Sequence, residues 1–80
     1  MKSVCITTRE DVLTGMRLAG IDGAFVSGRQ EALFALNAAK SDNEVALVLL
    51  CREAATLLEE EVAEMKLNSP KPLVLTIPTP

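Results

Sequence analysis

Eighty residues, 49% of them apolar and 24% charged, suffice for one small core, and 8 Lys+Arg against 11 Asp+Glu leave too little net charge for disorder. The net charge of −3 excludes a basic nucleic-acid patch, two Phe without Trp or Tyr exclude a base-stacking platform, and the absence of His removes the commonest general base and metal ligand. No stretch approaches the roughly 20 apolar residues of a membrane span, and Met1-Lys2-Ser3 opens no hydrophobic leader, so a soluble, cytoplasmic chain with no direct membrane insertion is expected.

In chain order, Val4-Cys5-Ile6 reads as a first strand over about Ser3–Thr7. Thr8 and Asp11 have capping-box spacing, and Val12, Leu13, Met16 and Ala19 form one apolar stripe, so a first helix runs over about Glu10–Ala19 with Gly20 as its left-handed cap and Ile21 beyond. Asp22-Gly23 turns into a second strand, Ala24-Phe25-Val26, and Ser27 with Gln30 repeats the capping spacing. The second helix carries Ala32, Leu33, Leu36 and Ala39 inward and stops at Ser41-Asp42-Asn43. Val45–Leu50 is unbroken apolar sequence, which predicts a central strand covered on both faces. A third helix over about Arg52–Lys66 turns Ala55, Leu58, Val62 and Met65 inward and Glu59, Glu60 and Glu64 outward, and ends at Asn68-Ser69-Pro70-Lys71-Pro72. Leu73–Ile77 is the fourth strand, closed by Pro78-Thr79-Pro80.

The order β-α-β-α-β-α-β predicts a single α/β domain over residues 1–80, a three-layer sandwich on a four-stranded parallel sheet of Rossmann or flavodoxin-like topology. Ligands of such sheets sit beyond the carboxyl ends of the strands. There, Thr7-Thr8-Arg9-Glu10-Asp11 has no glycine and sets two acids where a phosphate would want bare N–H groups, and Cys51-Arg52-Glu53 lacks the acceptor Asp of a receiver domain. Cys5 and Cys51 fit a reducing compartment, and their offsets along the strands speak against a disulfide between them. Cys5 stands where sugar-phosphotransferase B domains carry a phosphoacceptor thiol, but inside an apolar run, and Cys51, beside Arg52 at a helix start, is the better-exposed thiol. A thiol-dependent phosphotransfer domain is therefore the alternative reading. Glu59-Glu60-Glu61 fan across about 200° of helix and cannot converge on one cation, so that face and the scattered Arg9, Arg17, Arg29 and Arg52 are read as solvated surface.

Thr14-Gly15-Met16-Arg17-Leu18-Ala19-Gly20-Ile21 resembles the Thr-Gly-Phe-Arg-Leu-Ala-Gly signature in the first helix of the F subunits of V-type and archaeal A-type rotary ATPases, with Met16 in place of the aromatic. Pro72-Leu73-Val74-Leu75-Thr76-Ile77-Pro78 is similar to that family's proline-bounded last strand, and the likeness spans essentially all 80 residues. The resemblance implies a non-catalytic rotor subunit without catalytic residue, metal or cofactor. It would bind the coiled-coil shaft, the D subunit, inside the ATPase head, couple hydrolysis or synthesis to rotation, and lie peripheral to the membrane through the complex. The family continues past the last strand into a C-terminal helix that these residues do not include. Arg17, Gly20 and Ile21 at the end of the first helix, with Ile77 and Pro78 at the edge near the fourth strand, are the expected docking residues. In the plainer reading, Gly15 and Gly20 only permit close packing and a cap.

Overall fold

Four strands and four helices alternate along residues 1–68 and 71–78, the part of the chain that this computed structural model describes. They are β1 (Lys2–Thr7), α1 (Glu10–Leu18), β2 (Asp22–Phe25), α2 (Arg29–Ser41), β3 (Val45–Leu50), α3 (Arg52–Leu57), α4 (Glu59–Asn68) and β4 (Leu73–Thr76). The strands form one parallel sheet in the order β2-β1-β3-β4. Right-handed crossovers then set α1, which leads leftward from β1 to β2, on one face, and α2, α3 and α4, which lead rightward, on the other. The three expected layers are present, but one of them is a single helix. The expected Ser69-Pro70 turn and the closing Thr79-Pro80 lie outside the described residues.

The core is accordingly one-sided. Ile6, Val48, Leu50 and Val74 from the strands pack with Ala32 and Leu36 of α2, Ala54 and Leu58 around α3, and Val62 and Met65 of α4, and no residue of α1 belongs to this cluster. The stripe predicted for α1 is oriented as expected, with Val12, Leu13 and Met16 half-buried, but Ala19 is exposed and the helix buries none of its residues fully. Its C-terminus closes as a glycine cap requires. Gly20 has φ +83°, its N–H donates to the Arg17 carbonyl at 3.0 Å and that of Ile21 to the Met16 carbonyl at 2.9 Å, the two bonds of a Schellman cap.

Neither capping box forms. Arg9 stands at the N-cap of α1 without a side-chain cap, and the Thr7 hydroxyl accepts from the Arg9 N–H at 3.0 Å, while Thr8 turns toward another strand end. Gly28 stands at the N-cap of α2, because Ser27 donates to Glu31 and leaves Gln30 unused. The second strand begins two residues earlier than predicted, with Val26 buried beyond its end and its N–H on the Thr7 carbonyl at 2.9 Å. The expected Ser41-Asp42-Asn43 turn holds: Asp42 accepts from the Glu44 N–H at 2.9 Å and pairs with Lys2 at 2.9 Å.

The single third helix divides into α3 and α4 at Leu58 (φ −115°, ψ 26°). No proline or glycine causes this. Arg29 of α2 donates to the Leu57 carbonyl at 2.7 Å and pairs with both carboxylate oxygens of Glu61 at 2.9 and 2.6 Å, so a side chain occupies the acceptor that the Glu61 amide would use in a straight helix. The ladder resumes on both sides of the kink, Leu58 N–H to Ala54 and Val62 N–H to Leu58. The kink carries α4 over β4, and it makes Ala54 rather than the expected Ala55 the fully buried alanine. Arg29 and Glu61 thus form a surface bridge between helices, with the Arg29 side chain 49% exposed.

Candidate functional site

The connections from β1 and β3 diverge in opposite directions, so the place where this fold usually binds ligands lies between Thr8 and Cys51. Cys51 is 1% exposed, not the better-exposed thiol that the sequence predicts. Its Sγ accepts from the N–H groups of Ala54 and Thr8, each at 3.4 Å, and lies 3.5 Å from the Thr8 hydroxyl, which also donates to Glu53 at 3.1 Å. Burial pushes this thiol up, but the bonds from the Thr8 side chain, the Thr8 and Ala54 backbones and Thr7 outweigh it and hold Cys51 below the ordinary thiol range. The Thr8 hydroxyl, whose one proton goes to Glu53, thus links the Cys51 sulfur to the Glu53 carboxylate. The arrangement caps the start of α3.

Cys5 is fully buried beneath α1, where desolvation, with Cys51 nearby, raises its pKa. Both cysteines are free. The open groove beside the cluster, about 690 Å³ between Thr8, Gly28, Arg52, Glu53 and Thr56, meets neither sulfur. Among the described residues no group of His, Cys, Asp or Glu could hold a metal ion. Both thiols of the alternative reading are thus buried and outside the lining of the groove.

The distinctive surface lies on the α1 side of the sheet. In the parallel register Cys5 pairs with Gly23 and Leu49, Leu49 with Leu75, and Leu47 with Leu73, so these side chains share one face. The side chain of Leu13 covers Gly23, where an added Cβ would collide with it, and α1 thus sits over β2 and β1. Among the described residues no helix lies over β3 and β4 on this face. Leu73 and Leu75 are 56% and 48% exposed, and Leu47 and Leu49 half-buried. The unbroken apolar run of β3 predicts a strand covered twice, whereas only its core face is covered. Adjacent strands lie about 4.8 Å apart, so the bare strip is close to one helix diameter, roughly 10 Å, in width.

Of the residues singled out in the sequence, Arg17 and Gly20 are exposed and Ile21 is half-buried at the amino end of β2, whereas Ile77 and Pro78 follow the carboxyl end of β4. These are diagonally opposite corners of the sheet and do not form one patch. Ile77, two residues beyond Leu75 and tied by its N–H to the Leu50 carbonyl at 2.8 Å, adjoins the bare strip. Sequence reasoning missed Leu47, Leu49, Leu73 and Leu75 as a surface. The signal was present in the connection rule, which leaves one helix to cover four strands.

The family model of the ATP synthase (F/14-kDa) subunit matches residues 4–80. The chain belongs to this family. The F subunit of a V-type ATP synthase from Archaeoglobus fulgidus, solved by crystallography, has the same fold, with a TM-score of 0.70 and 21% identity over 95% of each chain. No curated protein matches. No helix among the described residues is long and apolar enough to cross a membrane.

Proposed function

We propose that this chain is a non-catalytic central-stalk subunit of a V-type or A-type ATPase, which docks on the coiled-coil shaft and turns with it, coupling ATP hydrolysis or synthesis to rotation. In this role it lies in the cytoplasm, peripheral to the membrane through the complex. The observation that carries the reading is the leucine strip over β3 and β4, about one helix wide and beside α1, which covers β1 and β2. A helix of the shaft laid along it would bury Leu73 and Leu75 and complete the layer that α1 begins. Such contact needs no reacting group, because a rotor part transmits torque through packing. The corner residues Arg17, Gly20 and Ile21 would then reach a neighbouring turn of the shaft, and Ile77 and Pro78 would lengthen the strip.

Co-expression of this chain with the coiled-coil shaft protein, followed by size exclusion and mass determination, tests the reading. A one-to-one complex is expected from the wild-type chain, and Leu73→Asp/Leu75→Asp should abolish it while the circular dichroism of the isolated chain is kept. No complex with the wild-type chain would remove the rotor reading, and a complex that survives the double substitution would move the docking surface elsewhere. Arg17→Glu separates the corners from the strip: unchanged binding would remove Arg17 from the interface.

A further inference from the structure

The opposite edge of the sheet carries a second surface. On the core face, α2 lies over β1 and β3 but leaves β2 without a helix. The resulting groove is floored by Val4 and Ala24 and walled by Phe34, Ala35 and Ala38 of α2. It runs on, through Ala24, Phe34 and Ala35, into a second depression toward Glu31. Phe34, one of the two aromatic residues in the chain, is 79% exposed there. The charge around this apolar floor is negative on balance, since the Lys2–Asp42 pair cancels and leaves Asp22 and Glu31. Asp22 and Asp42 line one end and Glu31 the other, three carboxylates against the single ammonium of Lys2, which is already paired with Asp42 at 2.9 Å.

We infer that this groove takes a basic amphipathic helix of another chain. The small side chains of Ala24, Ala35 and Ala38 leave room for a backbone to approach, and Phe34 offers an apolar anchor at the middle. Glu31 in the first turn of α2 and Asp42 at its C-cap stand eleven residues apart, roughly 16 Å at the helical rise, so a helix of about three turns lying along α2 would meet Glu31 at one end and Asp22, beside the Lys2–Asp42 pair, at the other. Lysine or arginine at its two ends and an apolar stripe between them complement the groove in charge and in chemistry. This surface lies across the sheet from the leucine strip and does not depend on what fills that strip.

The test uses the full chain and a fluorescent 18-residue peptide with leucines at helical spacing and lysines at the remaining positions, read by anisotropy. Binding is expected, with the peptide becoming helical by circular dichroism. Phe34→Ser, at an exposed site that leaves the fold intact, should weaken it at least tenfold. Asp22→Asn/Glu31→Gln should weaken it severalfold and flatten its salt dependence, and Leu73→Ser/Leu75→Ser should leave it unchanged. Absence of binding, equal binding by Phe34→Ser, equal binding of a peptide with glutamate in place of lysine, or binding without helix formation would each overturn the inference. Loss of binding in Leu73→Ser/Leu75→Ser would place the peptide on the other face and overturn it equally.

Discussion

Two side chains, Cys51 and Glu61, carry charge-sensitive bonds whose consequences can be measured. The Cys51 sulfur is the acceptor for two backbone N–H groups, that of Ala54 at the start of α3 and that of Thr8 just after β1. Cys51→Ala strands the buried Ala54 donor and the part-buried Thr8 donor and should cost about 1–3 kcal/mol in urea unfolding, whereas Cys51→Ser keeps an acceptor and should cost less. Glu61 is held down to about 2 by the Arg29 guanidinium, with help from its own N–H. A carboxylate with a depressed folded pKa stabilises the protein above its unfolded pKa, about 4.3, and loses that contribution as pH falls toward the folded value. Thermal unfolding should therefore show the wild type above Glu61→Gln by on the order of 2 °C at pH 7, with the gap closing between about pH 4.5 and pH 2.

At the scale of elements, the two glycines of the first helical region have opposite roles. Gly15 lies inside α1 with open space around its Cα, so Gly15→Ala should stabilise by about 0.5–1 kcal/mol through helix propensity. Gly20 sits at φ +83°, and Gly20→Ala should destabilise by about 1 kcal/mol. Paired urea titrations of the two variants should move in opposite directions. The elements themselves were legible because short continuous apolar runs and stripes of period about 3.6 separate cleanly along this chain, and Gly20 and Ser41-Asp42-Asn43 mark real ends. The division at Leu58 was not legible, since Arg29 makes it from 28 residues away by taking the Leu57 carbonyl. The capping boxes failed for a related reason: Thr8 and Ser27 found partners at Glu53 and Glu31 that spacing to Asp11 and Gln30 did not reveal.

At the scale of the whole molecule, local pattern says that a side chain is apolar but not whether a helix covers it. Leu47 and Leu49 in β3 read as covered on both faces, and only the strand order shows that, among the described residues, no helix lies over them and over Leu73 and Leu75 of β4. Because Leu73 and Leu75 are about half exposed, Leu73→Ser and Leu75→Ser should each lower stability by about 1 kcal/mol or less, against the 2–5 kcal/mol typical of truncating a fully buried leucine such as Leu36. Urea unfolding of the three variants checks the contrast.

The isolation of α1 also sets a hierarchy of motion. A helix that buries no residue fully and takes no part in the main core is held by one flank, so it opens at a lower free energy than α2 or β3. Native-state hydrogen exchange should show the amides of Val12–Leu18 exchanging well before those of Leu36 or Val48. A neighbour laid against Val12 and Met16 would raise their protection, and the slowing of exchange in α1 would report occupancy of the strip even where no new bond forms to the helix itself.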